Sequence, residues 1–142
     1  QELSITREFD LPVELLFRAF VEGPLVEQWM GTRVLKLEGE RHGSYQFETV
    51  DAYGNVVFRA NGTFHDVRQS ERIVRTFEME NTPFPAQLEF LEFESLGVDR
   101  SRLTMQVIYR SAALRDQVLQ LPFAKGINMA HNRLQQALQN LK

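Results

Sequence analysis

The fold of this chain is decided by residues 3–30, LSITREFDLPVELLFRAFVEGPLVEQWM. Apolar and polar residues alternate from Leu3 to Phe9, and this alternation predicts a half-buried strand. After Pro12 the apolar residues fall at helical spacing. Gly23-Pro24 then breaks this helix and opens a second short one that ends at Trp29-Met30. Few folds place two short helices, both begun by proline, directly after the first strand.

The chain from residue 33 to residue 109 is predicted to form six further strands. They cover residues 33–38, 45–48, 56–67, 72–80, 87–96 and 102–109. Turns such as 39–43 and 51–55 contain glycine and are short, so consecutive strands are expected to pair antiparallel. Residues 87–94 lack clean alternation, which predicts a bulge or a local change of register there.

Helical spacing returns near the C-terminus. Ser111 is predicted to cap a helix over residues 112–121, Pro122 to interrupt it, and residues 123–141 to form one long final helix. Together these elements predict an α+β fold in which a curved antiparallel seven-stranded sheet wraps around the long C-terminal helix. The 142 residues are expected to form a single domain.

The composition excludes several classes of function. A net charge of −3 without a basic tract argues against a nucleic-acid partner. The chain has no cysteine, no apolar run of about 18 residues and no visible signal peptide, so a cytoplasmic protein without a membrane span is expected. Eleven phenylalanines against three tyrosines supply apolar rings that fill a core or line an apolar pocket. An exposed edge strand permits a monomer or a homodimer.

Short motifs spread over nearly the whole chain resemble those of one known superfamily. They are REFD at 7–10, LFRAF at 16–20, QW at 28–29, GSY at 43–45, GTF at 62–64, ERIV at 71–74 and SRLT at 101–104, with Gly126 in the last helix. In this order they resemble the helix-grip (SRPBCC) superfamily of START lipid-transfer domains, birch-pollen-allergen-like proteins and polyketide cyclases. Within it they are most similar to the activator of heat-shock-protein-90 ATPase homologue-like group. The resemblance implies one START-like domain over residues 1–142 with an internal cavity between sheet and C-terminal helix, and it leaves the function open.

His131 is the first candidate for chemistry. It belongs to an apolar stripe of the last helix, expected to face the sheet, that comprises Phe123, Ile127, His131, Leu134, Leu138 and Leu141. Two interpretations are open: a core histidine hydrogen-bonded to a neighbouring hydroxyl or carbonyl, or a polar anchor for a molecule bound in an otherwise apolar pocket. In either case burial would lower the pKa of the imidazole and keep it neutral.

Arg75 is the second candidate, because it shares the apolar side of its strand with Ile73 and Phe77. Either its guanidinium enters the interior, where it needs an anionic ligand or a carboxylate such as Glu89 or Glu92, or curvature places it at the rim. We predict that Arg75 and His131 mark the polar end of the pocket. Leucine at either position should then raise thermal stability and abolish binding, whereas unfolding by Arg75→Leu would make Arg75 structural.

The rest of the predicted pocket wall is apolar and mostly aromatic. It consists of Trp29, Tyr45, Phe47, Phe58, Phe64, Phe77, Met79, Met105, Tyr109 and Ile127. Trp29 has a second interpretation, as a large core residue beneath the N-terminal helices. The carboxylates Glu48, Glu78, Glu89 and Glu92 are predicted to lie mostly on the solvent face.

The sequence favours the binding of a small apolar or aromatic molecule. His42, His65 and His131 lack metal-binding spacing and the chain contains no standard catalytic motif, so we expect no metal and no cofactor and find no indication of an enzyme. Two alternatives stay open. One is an enzyme of the polyketide-cyclase type, with His131 as acid–base and Arg75 as anion clamp. The other, from the family resemblance, is a stress-related co-chaperone-like module.

Overall fold

The computed structural model describes residues 1–121 and 123–142, without the side chains of residues 123 and 124. Its strands are β1 (Glu2–Phe9), β2 (Arg33–Leu37), β3 (Ser44–Val50), β4 (Val56–Arg68), β5 (Arg72–Met79), β6 (Gln87–Gly97) and β7 (Arg100–Ile108). Its α-helices are α1 (Val13–Val21), α2 (Gly23–Met30), α3 (Ala112–Gln120) and α4 (Phe123–Leu138), followed by a 3₁₀ turn at Gln139–Leu141. The predicted α+β helix-grip fold is confirmed. The predicted interruption at Pro122 lies outside the described residues.

The seven strands form one antiparallel sheet in the order β1-β7-β6-β5-β4-β3-β2. Strands β2 to β7 follow one another as a meander, and β1 joins β7 with Ile5 opposite Met105. Register shifts occur at Val34–Lys36, Thr49–Val50 and Phe64–Asp66, and such irregularities increase twist and bend the sheet. Strand β1 therefore lies at one edge, with only β7 as its neighbour in the sheet.

The bulge predicted for residues 87–94 is wrong. Strand β6 pairs without a shift from Gln87 to Glu92 along β5, and its one shift against β7 lies at Ser95–Gly97, next to the hairpin. The alternation fails because Glu89 is buried on the same side of the strand as Leu91 and Phe93. A charged residue on the inner face, and not an irregular backbone, breaks the apolar pattern.

The prediction that the carboxylates lie mostly on the solvent face is wrong for Glu89, whereas Glu48 lies on the outer face but is not exposed. Glu48 is buried although it points away from Tyr45 and Phe47 in the strand alternation. Arg33 and Arg59 hydrogen-bond to its two carboxylate oxygens and cover it, and these bonds lower the pKa of the Glu48 carboxyl. Long arginine stems can bury a carboxylate on an outer face, which residue alternation alone does not reveal.

Helices α1 and α2 cover part of the inner face of the sheet. The rings of Phe17 and Phe20 stand edge-on to Phe93 of β6, at centroid distances of 5.3 and 5.7 Å. Trp29 of α2 packs against Phe20 at 5.3 Å, and its carbonyl oxygen accepts a hydrogen bond from Arg133 of α4. The apolar spacing after Pro12 thus becomes a packed layer between the sheet and the C-terminal helix.

Among the described side chains of α4, those of its C-terminal half are the most deeply buried. Leu134 and Leu138 are fully buried and His131 is nearly so, whereas Ile127 is half-buried and Leu141 is exposed. Helix α3 is capped as predicted by the Ser111 hydroxyl, which accepts from the backbone N–H of Leu114 at 3.2 Å, but none of its residues is buried. Leu114 and Val118 of α3 pack against the core only partly buried, and a space lies on either side of this helix.

Candidate functional site

The larger of the two spaces beside α3 is a groove between the edge strand β1 and helices α3 and α4. It has a volume of about 810 Å³ and is open to solvent. Its lining is Leu3, Ser4, Ile5, Thr6, Arg7, Leu119, Lys125, Ile127, Asn128 and His131. The groove combines an apolar wall with a small number of polar groups from two elements, which is the usual composition of a small-molecule site.

His131 forms part of the groove wall at the point where α4 begins to pack tightly. It is 4% exposed, and its ring stands edge-on to Phe9 with the centroids 5.7 Å apart. No described residue makes a hydrogen bond to its imidazole, so the neighbouring hydroxyl or carbonyl expected for a core histidine is not found in the described chain. Burial, with a smaller contribution from the positive charge of Arg7, lowers the pKa of His131 to about 4.

Arg7 lies across the groove from His131 and links β1 to α4. One terminal nitrogen of its guanidinium donates to the backbone oxygen of Asn128 at 3.3 Å and to the Asn128 side-chain oxygen at 3.1 Å. The guanidinium carbon lies 5.0 Å from the ring centroid of Phe9, a cation–π distance. The groove therefore has a positive group held in place by neutral partners.

Arg75 enters the interior, as one of the two interpretations predicted. Its Nε donates to a carboxylate oxygen of Glu89 at 2.9 Å, with the two side chains 12% and 6% exposed. Gln87 donates to the other Glu89 oxygen at 2.8 Å, and the guanidinium lies 5.4 Å from the Tyr45 ring and 5.9 Å from the Phe20 ring. Burial opposes the charge of Arg75, but the Glu89 carboxylate outweighs it and the pKa of Arg75 is raised.

The second space beside α3 is a cavity of about 160 Å³ near the ends of β5 and β7. Its lining is Phe77, Met79, Phe84, Pro85, Gln87, Tyr109, Val118 and Leu121. The hydroxyl of Tyr109 is buried and has no hydrogen-bond partner among the described residues. Burial and, to a lesser extent, the nearby Glu89 carboxylate raise the pKa of Tyr109. This cavity is mostly apolar and far smaller than the groove.

The sequence model of a family described as "Activator of Hsp90 ATPase homolog 1-like protein" matches residues 10–139. The chain belongs to this family. This match confirms the resemblance inferred from the ordered motifs. The matched residues include the four described α-helices and every described strand except β1. No curated protein matches the chain.

Solved structures with the same fold include proteins from several bacteria and one parasite. A protein from Rhodobacter sphaeroides aligns with a TM-score of 0.87 and 19% identity over 98% of this chain and 93% of that chain. A protein from Arthrobacter aurescens has a TM-score of 0.85 and 15% identity over 98% and 86%. An HSP90 activator from Plasmodium falciparum has a TM-score of 0.61 and 19% identity over 78% and 74%. At these identities the likeness shows the fold alone.

In this member of the Hsp90-ATPase-activator homologue family, the residues predicted to line one pocket lie in different places. His131 and Ile127 line the groove, and Phe77, Met79 and Tyr109 line the small cavity. Phe58 is half-buried near the start of β4. Buried in the core are Trp29, Tyr45, Phe47, Phe64 and Met105. Arg75 and His131 are not brought together at the groove, since Arg75 is absent from its lining.

Trp29 is placed as a core residue, which was its second interpretation. It is buried, and its indole N–H donates to the backbone oxygen of Ala19 at 2.8 Å. Tyr45 is also fixed by the core: its hydroxyl donates to the Thr76 oxygen at 2.6 Å across Gly62. A Cβ on Gly62 would collide with both the Thr76 oxygen and the Tyr45 ring. A residue other than glycine at position 62 therefore cannot fit without a shift of the sheet.

Sequence reasoning missed most of the groove. Leu3, Arg7, Leu119, Lys125 and Asn128 were not predicted as site residues, although all line it. The available signal was the position of Arg7, which has the same parity as the apolar residues of β1. A charged residue among inward-facing apolar ones points to a special environment, as it did at Arg75.

Replacing Tyr109 with phenylalanine is expected to raise the free energy of unfolding by about 1 kcal/mol. The substitution removes a buried hydroxyl that has no partner among the described residues, and such a group costs about 1–3 kcal/mol. Tyr45→Phe is the matched control, because it removes a buried hydroxyl that is hydrogen-bonded, and it should lower stability by about 1 kcal/mol. Urea titrations followed by circular dichroism measure both changes. A loss of stability in Tyr109→Phe would show that the hydroxyl has a partner.

Proposed function

We propose that this family member binds a small, largely apolar molecule in the groove between β1, α3 and α4. The observation that supports this most strongly is the combination of the groove with His131. A volume of about 810 Å³ falls within the range of small-molecule sites. The nearly buried imidazole of His131 makes no hydrogen bond to the described chain and is not among its buried polar groups that lack a partner, so a molecule or water in the groove that it lines can serve as its partner.

The proposed site differs from the enclosed cavity that the family resemblance implied. The space between the inner face of the sheet and the helices is largely filled by side chains such as Phe20, Phe64 and Phe93, and about 160 Å³ remains near Tyr109. The larger space opens at the sheet edge because α3 buries none of its residues. A ligand there would keep part of its surface in contact with water.

The geometry favours binding over catalysis. A catalytic histidine is usually oriented by a carboxylate, and no carboxylate of the described chain bonds to His131. The anion clamp proposed for Arg75 is already bound to Glu89. One structural neighbour is named an HSP90 activator, so a chaperone partner is the alternative to a small molecule. A pull-down from host lysate that recovers the chaperone would favour that alternative.

Filling the groove with a larger side chain is expected to weaken the binding of a neutral apolar dye. Nile red should bind the unmodified protein with increased fluorescence, and Ile127→Trp should weaken its binding at least about tenfold, because the larger ring occupies the apolar wall. Met129→Trp is the matched control, since Met129 lies two residues further along α4 and is half exposed outside the groove lining. Equal dye binding by both variants, or none by the unmodified protein, would contradict the proposal.

A further inference from the structure

The groove carries positive charge without any negative charge. Arg7 and Lys125 line it, and none of its described lining residues is an aspartate or a glutamate. The other described residues of its wall are apolar or carry no formal charge.

Arg7 is the exception among the arginines on the described strands. Each of the others has a nitrogen within 4.0 Å of a carboxylate oxygen; they are Arg33, Arg59, Arg68, Arg72, Arg75, Arg100 and Arg102. Arg7 has no such partner in the described chain and bonds only to the neutral Asn128. One terminal nitrogen makes both of these bonds, so the remaining donors of the guanidinium fork stay available.

The polar groups of the groove lie next to its apolar wall. Lys125, Asn128 and His131 are spaced by three residues along α4, so they follow one side of the helix beside Arg7 of β1. The apolar wall is formed by Leu3, Ile5, Leu119 and Ile127. An occupant that matches both parts has an apolar body and one anionic end.

We infer that the groove binds an amphipathic carboxylate, with its apolar body on Leu3, Ile5, Leu119 and Ile127 and its carboxylate beside Arg7 and Lys125. This inference rests on the proposed function and names the chemical class of its ligand. Guanidinium and carboxylate form charge-assisted hydrogen bonds, which are roughly twice as strong as neutral ones. The imidazole of His131 supplies one further hydrogen-bonding group in the lining of the groove.

The test compares octanoate with octan-1-ol, which have the same chain length and differ in charge. Calorimetric titration of the full chain should show octanoate binding about tenfold more tightly than octan-1-ol at low salt, and sodium chloride should reduce this preference. Arg7→Gln should remove most of the preference, and Lys125→Gln, which changes an exposed side chain, should reduce it severalfold without affecting folding. Arg110→Gln is the matched control, because it removes the same charge from an exposed arginine outside the groove lining.

Failure of the carboxylate preference and failure of the proposed binding groove give different titration results. Equal affinity for octanoate and octan-1-ol, lost in Ile127→Trp, would leave a binding groove and overturn the carboxylate preference. The inference would also be overturned if Arg110→Gln reduced the preference for octanoate as much as Lys125→Gln and Arg7→Gln do. The preference would then reflect the net charge of the protein. No binding of either compound would overturn the proposed function, and the inference with it.

Discussion

Replacing Arg75 with leucine is expected to lower the free energy of unfolding by about 3–5 kcal/mol. Arg75 and Glu89 are both buried and bonded to each other, so the substitution leaves the Glu89 carboxylate in the interior without its positive partner. Glu89→Leu should cost a similar amount for the same reason. The hypothesis that Arg75 marks the polar end of a pocket predicts stabilisation by leucine instead, whereas the carboxylate partner that the sequence also allows, Glu89, is the one observed. Urea denaturation of each variant measures the effect.

The double variant Arg75→Leu/Glu89→Leu should cost much less than the sum of the two single changes, because neither charge is then left unpaired. Arg72→Leu is the matched control. Arg72 lies on the same strand and pairs with Glu92 at 2.8 Å, but the two side chains are 40% and 46% exposed, so the loss should stay below about 1 kcal/mol. Additive losses, or an Arg75→Leu variant as stable as Arg72→Leu, would show that Arg75 is not a buried ion-pair partner.

Stability should fall as the pH is lowered from about 7 to 4, and His131 should cause a large part of the change. The pKa of His131 is about 4 in the folded protein, against 6.5 when the side chain is solvated. Between these values the unfolded chain binds a proton that the folded chain excludes, so the stabilisation is full above pH 6.5 and is lost as the pH falls to 4. The loss amounts to roughly 3 kcal/mol.

The comparison of unmodified protein with His131→Leu isolates this contribution, since carboxylates titrate at the low end of the same range. Arg7 and Lys125, the charged groups that line the groove with His131, are both positive, and burial together with the charge of Arg7 favours the neutral imidazole. His131→Leu should therefore show a shallower slope of unfolding free energy against pH between 6.5 and 4. His65→Leu, which removes an exposed imidazole, is the control. Equal slopes in the unmodified protein and His131→Leu would show that His131 is not buried.

The order of elements could be predicted from the sequence because local patterns specify it. The strand and paired helices of residues 3–30, the hairpin turns and the Ser111 cap all appear as expected. Apolar alternation also gave an inward-facing Arg75 as one of two interpretations, and the guanidinium does enter the interior. These features depend on neighbours within a few residues, which a single sequence displays directly.

The site could be predicted only in part because it depends on how elements pack. His131 and Ile127 were expected to line a pocket and do line the groove, but the edge position of that groove follows from the weak packing of α3. Glu89 interrupts the apolar alternation of residues 87–94, and from the sequence alone this interruption predicts a bulge. A buried ion pair between adjacent strands interrupts the alternation in the same way as an irregular backbone does. Arg7 had the parity of an inward-facing residue, but the sequence does not show that its neighbours are neutral.

A crystal structure of the protein with 8-bromooctanoate would locate the ligand in the groove or elsewhere, because bromine is identified by its anomalous scattering. We expect one bromine peak in the groove against the apolar wall of β1, α3 and α4, with the carboxylate beside Arg7 and Lys125. A peak in the small cavity beside Tyr109, or no peak from crystals soaked at saturating ligand, would contradict it.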